Sequence, residues 1–358
     1  MAEVKTLEDE QLKALRAVAP GTPLREGLDN ILRAKTGALI VVGNSPQVLE
    51  IIEGGFYIDA EYSPANLYEL AKMDGAIILS PDCKKILYAN AQLIPSPLIA
   101  SRETGIRHRT AERTAKQTGE MVISISKRRN VITIYKGNWK YALRDISLIL
   151  SKANQALQTL EKYKKAADHA LINLGALEFE EQVTLFDVAV AIQRCEMVRI
   201  IVAELERYIS ELGTEGRLIG MQLEELVNNV EEEGELLIRD YCSDGEKTTV
   251  LDIRKQFADW SLEDLLDLNQ ICRLLGYTSS QGLDLSVEPR GYRILRKIPR
   301  IPMVVVENLV GKFGELNRIY SASIDDLDEV EGIGEVRARL IKESLRKLRE
   351  QLLLERYI

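Results

Sequence analysis

Apolar positions along the chain follow two rhythms. Up to about residue 145, short β-branched runs alternate with stretches at helical spacing. The runs at 38–42, 56–58, 76–79, 85–89, 121–126 and 131–135 predict strands. Three- and four-residue spacing predicts helices over 8–17 and 24–35, the second ending at Gly37, a suitable C-terminal residue. Ser63 before Pro64 reads as an N-cap followed by proline at the first helical position of a helix reaching about Lys72. Strands mixed with helices in this length predict one α/β domain over residues 1–145, built on a central mixed sheet.

From 146 the rhythm is helical throughout. Ile146, Ile149, Leu150, Ala153, Leu157 and Leu160 form one apolar stripe. Thr184 with Asp187, and Ser261 with Asp264, have the spacing of capping boxes, with Asp in place of the usual Glu. Gly213 and Gly276 sit where helices should end, and only 248–251 hints at a strand. Residues 146–289 therefore predict a helical bundle or spine without chemistry of its own, and 278–282 read as a linker. The segment 290–358 predicts a third, small helical domain. The expected architecture is multidomain, α/β followed by all-α.

Composition removes several classes of function. Of 358 residues, 46% are hydrophobic and 28% charged, enough to build cores and exclude wholesale disorder. No run approaches a membrane span and the first residues lack a signal-peptide core, which predicts a soluble cytoplasmic protein with no membrane partner. The four cysteines, Cys83, Cys195, Cys242 and Cys272, have no Cys-x-x-Cys spacing, arguing against a zinc knuckle or a disulfide framework.

Charge is blocked along the chain. The net is +8 over 102–144, −12 over 201–270 and +3 over 290–358. An acidic middle argues against nucleic acid bound along the whole length, since phosphates need neutralising cations. Anionic ligands are expected at the two basic ends, and the acidic block as the solvated face of helices.

At the C-terminal end, Gly332-Ile333-Gly334 forms a Gly-hydrophobic-Gly turn between two predicted helices. Such a turn bends tightly and exposes N–H groups at the start of the second helix, which suits a phosphate oxygen. Arg337, Arg339 and Lys342 follow and add charge. Contacts of this kind hold the sugar–phosphate backbone and read no bases. The pattern resembles the helix-hairpin-helix family of non-specific DNA binders. A weaker copy at 297–302 has Pro299, Arg300 and Pro302 around Ile301, and proline offers no N–H; the first hairpin is expected to be structural, completing a tandem fold.

No Walker-type loop, Gly-x-Gly-x-x-Gly or His-Glu-x-x-His occurs, so common ATPase, dinucleotide and zinc-protease readings lose their support. Two constellations remain in the N-terminal segment. Asp74-Gly75-Ala76 places a carboxylate at the start of a strand, followed by a residue with almost no side chain, where a flat ligand can approach the backbone. Gly105-Ile106-Arg107-His108-Arg109-Thr110 sets two guanidiniums and an imidazole just before a helix expected to end near Gly119. Bidentate donors combined with a positive helix dipole suit a triphosphate, and Thr110 can cap the helix or bind a phosphate. The other histidine, His169, is expected to be a surface or packing residue.

Together these two motifs resemble the signatures of the diadenylate cyclase domain family, which joins two ATP molecules into cyclic di-AMP and releases two pyrophosphates. The domain order over the whole chain resembles that of bacterial DNA integrity scanning proteins. The resemblance implies roles for particular residues. Gly75 and Leu93 would line the adenine site, with Ala76 beside them. Ile106 to Thr110 would line the phosphate path, with Arg107 and Arg109 as anion clamps, and Ser126 would reach the phosphates from its strand end. Asp74 would be catalytic and would hold Mg²⁺ or Mn²⁺, with His108 contacting phosphate or metal. Gly332, Gly334, Arg337, Arg339 and Lys342 would contact DNA without sequence specificity, branched DNA by family expectation. A nucleoid-associated homo-oligomer, an octamer of four cyclase dimers, is implied. The sequence departs from the family at Ile106, where threonine is usual. A nucleotide-binding DNA-repair scaffold without catalysis, and a plain nucleotide hydrolase, stay open as alternatives.

Overall fold

The computed structural model describes residues 2–227, 230–243, 250–278 and 282–356. The chain divides into two compact units: Met1–Asn154 with Glu206–Gly220, and Gln155–Leu205 with Met221–Ile358.

In the first unit, α1 (Ala2–Ala17) and α2 (Pro23–Arg33) precede β1 (Ala38–Val42), α3 (Pro46–Glu50), β2 (Ile52–Glu53), β3 (Phe56–Glu61), α4 (Pro64–Leu70), β4 (Ala76–Leu79) and β5 (Lys85–Leu93). Then come α5 (Ile106–Thr118), β6 (Met121–Ser126), β7 (Val131–Lys136) and β8 (Trp139–Ala142). The strand order is β2-β5-β4-β1-β6-β7-β8, with β3 also paired to β5. β1 and β4 are parallel and the remaining pairs antiparallel, so the expected mixed sheet is present.

Burial on both faces explains the aliphatic run of β1. Ala38, Ile40 and Val42 pack with Leu15, Leu28, Ile31 and Leu67 from α1, α2 and α4. Leu39 and Val41 pack on the opposite side with Val48 of α3 and Ala111 and Ala115 of α5. A strand sandwiched in this way has no solvent face and therefore no polar alternation. β8 lies at the sheet edge and β2 is two residues long, so neither left a readable period.

The end of α2 differs from the expectation. Ala34 is the C-cap, Lys35 turns left-handed at φ 53°, and the N–H groups of Thr36 and Lys35 return to the carbonyls of Ile31 and Leu32. This is a Schellman closure made without glycine. Gly37 is therefore not the helix terminator.

α6 (Ile146–Glu180), α7 (Leu185–Leu212) and α8 (Arg217–Val227) each contribute residues to both units. The second unit continues with α9 (Val230–Tyr241), α10 (Val250–Ala258), α11 (Leu262–Leu266), α12 (Leu268–Leu274), α13 (Tyr292–Arg296), α14 (Met303–Phe313), α15 (Leu316–Ser321), α16 (Ile324–Asp328) and α17 (Glu335–Glu355). Both capping boxes form, at Thr184 and Ser261. Residues 250–251 open α10 rather than a strand, because the buried positions that follow, Ile253 and Phe257, are four residues apart and Leu251 is left exposed; 248–249 and the linker residues 279–281 lie outside the described residues. The last five helices bury Ile294, Val306, Leu309, Leu327 and Ile341 in one core that also takes in Phe179 of α6.

A buried polar knot closes this second unit. Arg293 of α13, fully buried, pairs with Glu178 of α6, whose second oxygen accepts the Tyr241 hydroxyl at 2.7 Å. Asp240 accepts the backbone N–H groups of Gly291, Tyr292 and Arg293 at 2.7–3.0 Å, capping α13. Burial pushes the Asp240 carboxyl up to about 7, and neighbouring Glu178 adds to the shift. Removing one member of a buried ion pair leaves the other charge uncompensated, at a cost of about 3–5 kcal/mol. Glu233 also pairs with Arg293, at 3.5 Å, so the Glu178→Ala variant is expected to lower the stability of this unit to urea toward the low end of that range. The two tryptophans fall one in each unit, so Trp260 fluorescence in a Trp139→Phe background reports it. A change under about 1 kcal/mol would show that the knot is not holding the unit together.

Candidate active site

One end of the sheet opens into a cavity of about 760 Å³. Its wall is made by Leu39 of β1, Glu53 at the end of β2 with Gly54 and Gly55 after it, Asp74 to Ala76 at the start of β4, Asn90 to Leu93 of β5, and Ile106, Arg107 and Thr110 of α5.

Backbone proximity shapes this wall. Gly75 has φ 99°, and a Cβ built on it would lie 2.8 Å from the Asn90 carbonyl carbon and 2.9 Å from the Ala91 oxygen. No other residue fits without moving β5. The register between β4 and β5 shifts between Ala76↔Ala91 and Ile78↔Tyr88, giving β5 one extra residue. Asn90 absorbs it with φ 52°. Such a bulge bends the strand at the rim of the cavity, a common device beside functional sites. Asp74 is exposed, and among the described residues no hydrogen bond or ion pair occupies its carboxylate.

The Arg107-His108-Arg109 triplet lies inside the first turn of α5, not before it, since Ile106 is already helical and Gly105 is the N-cap. At 100° per residue the three side chains leave in different directions. Arg107 lays its guanidinium into the notch left by Gly37; a Cβ there would lie 2.2 Å from Nη1. Arg109 donates instead to the carbonyls of Glu103 and Thr104, each at 3.3 Å. The His108 ring is turned to the Tyr135 hydroxyl, 3.0 Å from Nδ1, and its Nε2 is buried without a partner. Ser126 accepts the N–H of Arg129 at 3.2 Å, closing the β6–β7 turn.

Of the sequence-predicted residues, the structure thus brings together Asp74, Gly75, Ala76, Leu93, Ile106, Arg107 and Thr110. It does not bring His108, Arg109 or Ser126 to the cavity wall, nor His108 to Asp74. Among the described residues, no group of three or more His, Cys, Asp or Glu side chains is placed to hold a metal ion. Sequence reasoning missed Gly37, Leu39, Asn90 and the Glu53–Gly55 turn. The Gly54-Gly55 pair and an asparagine within a strand pattern were the available signals.

The electrostatics follow from these contacts. Burial lowers the His108 pKa, helped by Arg129, Lys140 and Arg107 nearby. Burial alone would raise Glu103, but donors from Lys140 and Tyr135 outweigh it and hold the carboxyl low. Burial and the bond to Glu103 raise Tyr135.

In the C-terminal turn Gly332 has φ 85° and Gly334 is the N-cap of α17, with Ile333 buried beneath. α17 runs for 21 residues, because its apolar stripe continues through Leu345 and Leu352. Arg337 donates to the Gly332 carbonyl and Arg339 pairs with Glu335, both on the exposed surface. Lys342 is turned away, donating to the carbonyls of Tyr320 and Ala322. In the weaker first copy, Arg300 has φ 64° where Gly332 has its positive φ, and Pro302 is the N-cap where Gly334 stands.

Two family models match separate stretches of the chain. Residues 25–139 match the family described as DisA bacterial checkpoint controller nucleotide-binding, and residues 143–283 the DisA bacterial checkpoint controller linker region. DNA integrity scanning protein DisA of Carboxydothermus hydrogenoformans is 63% identical over 96% of this chain and 99% of its own length. The protein of that name from Clostridium perfringens is 58% identical over 99% of both chains. Among solved structures, DacA from Staphylococcus aureus aligns at 22% identity with a TM-score of 0.27, covering 40% of this chain and 91% of its own. Among the described residues no helix is long and apolar enough to cross a membrane. With both family matches in sequence order and near-complete coverage by its relatives, the chain belongs to the DisA family of DNA integrity scanning proteins.

Proposed function

We propose that this protein condenses two ATP molecules into cyclic di-AMP, releasing two pyrophosphates, and couples that reaction to DNA binding by its C-terminal hairpins. The observation that carries the reading is a single cavity in which an unpartnered carboxylate, Asp74, faces the first turn of α5 with Arg107 beside it. Its volume falls within the range of small-ligand sites, roughly 300–1,000 Å³. Gly75, Ala76 and Leu93 offer a flat apolar wall for adenine. Arg107 and the uncapped N–H groups of α5 offer donors and a positive dipole for phosphates. Ile106 contributes no hydroxyl, so binding at that position falls to the backbone.

In each bond-forming step a ribose 3′-oxygen attacks the α-phosphorus of the other nucleotide. An O–P bond forms, the bond to the β-phosphate bridge breaks, pyrophosphate leaves, and the hydroxyl proton is released. Two such steps demand two nucleotides lying antiparallel about a twofold axis. One chain offers one such cavity wall, so a second copy would supply the other half. Asp74 would be presented across that interface toward the partner nucleotide's hydroxyl and would favour loss of its proton.

A divalent ion fits the donor set: a lone exposed carboxylate with substrate phosphates and water suits Mg²⁺ or Mn²⁺, which keep much of their hydration. When bound it would neutralise phosphate charge and acidify the attacking hydroxyl. Asp74 would hold it; His108, with Nδ1 on Tyr135, would not.

For DNA, the two turns with matching positive φ at Arg300 and Gly332 support a tandem arrangement of hairpins. Arg337, Arg339 and the first amides of α17 would meet phosphates, whereas Lys342 serves the end of α15. Replacing Arg337 and Arg339 together by Ala should weaken DNA binding without regard to sequence. It should flatten the slope of log K against log salt by about 0.9 for each phosphate left unneutralised. An unchanged slope would place DNA elsewhere.

With ATP and Mn²⁺, mass spectrometry should find cyclic di-AMP and pyrophosphate in a ratio of one to two; ADP or AMP as the main product would overturn the reading. Asp74→Asn should retain ATP binding and lose about 10²–10⁴ in kcat, as expected for a group that assists proton loss; wild-type turnover would remove Asp74 from the mechanism. Gly37→Ala should leave the protein folded with a small loss of stability, since the nearest colliding atoms are the flexible end of Arg107, and the Ile125 carbonyl oxygen, 3.1 Å away, need give only a few tenths of an ångström. Displacing that guanidinium should lower kcat/KM by roughly ten- to hundredfold, the worth of one charge-assisted hydrogen bond.

A further inference from the structure

The N-terminal end of α5 is held on the sheet by one phenolic oxygen. Tyr135 of β7 is buried, yet its hydroxyl meets two groups that straddle the helix start. It donates to Glu103 Oε1 at 3.0 Å, two residues before the N-cap Gly105. It also lies 3.0 Å from His108 Nδ1, in the first helical turn. Lys140, the direct cross-strand neighbour of Tyr135 on β8, pairs with the same Glu103 carboxylate.

The direction of these bonds is fixed by what each atom can do. A carboxylate oxygen only accepts, so the single hydroxyl proton of Tyr135 goes to Glu103. The hydroxyl must then accept from His108, which places the imidazole proton on Nδ1 and leaves Nε2 a bare acceptor. The geometry points to Tyr135 as a positioning residue for the cyclase site: by bonding Glu103 on one side of the N-cap and His108 on the other, its hydroxyl sets the rotation and height of the first turn of α5, and with it Arg107. Tyr135 does not reach the cavity, and His108 acts through the helix it anchors rather than on substrate. This inference rests on the cyclase reading for its consequence, but its geometry does not.

The structural half can be read without turnover. The chain has only two histidines, and His169 is exposed on α6, so ¹⁵N-histidine labelling of the full protein gives one reporter and one internal reference. His108 is expected to carry its proton on Nδ1 in the wild type. In Tyr135→Phe it should move toward the Nε2–H form while His169 stays unchanged. ATP affinity should fall roughly tenfold, the loss of about one buried hydrogen-bond junction, and kcat/KM with it. Glu103→Leu, which removes the other acceptor, should give the same loss of affinity and serves if Tyr135→Phe does not fold. A wild-type proton on Nε2, or wild-type ATP affinity and turnover in both variants, would overturn the proposal. Weaker ATP binding with an unchanged His108 tautomer would also overturn it, by assigning the effect to packing. Absence of cyclic product from the wild type would sink the cyclase reading while leaving the tautomer and ATP-affinity results to judge the junction.

Discussion

The close approach of β4 and β5 is the constraint from which the candidate site follows. At Gly75 the two strands come so near that a single methyl group would strike the Asn90 backbone. That proximity leaves Asn90 to take up the extra residue of the bulge, opens the sheet end beneath it, and sets Asp74 at the lip with no protein partner among the described residues. A second steric vacancy, at Gly37, gives the Arg107 guanidinium its resting place against β1. The cavity is thus defined less by the groups that line it than by two side chains that are absent.

Much of this was legible in the sequence because it rests on periodicity. The buried strands β1, β4 and β6 are bounded as the apolar runs predict, since a strand covered on both faces has no polar residue to blur its ends. Capping chemistry at Ser63, Thr184 and Ser261 was readable for the same local reason. The site residues of β4 and the flank of α5 that faces the cavity were visible as motifs. What remained hidden is long-range. Gly37 looks like a helix terminator, because the sequence does not show that Lys35 will close α2 or that Arg107 will arrive seventy residues later. His108 and Arg109 read in the motif as neighbours of Arg107; once Ile106 is helical, the angular spacing of the turn takes their side chains off the cavity wall.

The same lesson holds for charge. A motif of basic residues predicts anion binding only for those cations that the fold leaves free. Arg293 sits deep in the second unit with Glu178, Lys342 serves backbone carbonyls, and Arg109 straps down the segment before α5. Arg107 lines the cavity, while Arg337 and Arg339, engaged with the Gly332 carbonyl and Glu335, keep exposed side chains. Folding, rather than composition, decides which cations are committed to structural contacts.

The central claim is that one chain offers half of a reaction centre, so that turnover requires a second copy facing the first. Specific activity measured across a protein dilution series, alongside sedimentation under the same conditions, tests this most directly. The account predicts that activity per chain collapses as the assembly dissociates to monomers. Constant activity per chain in a solution that sediments as monomer would contradict it.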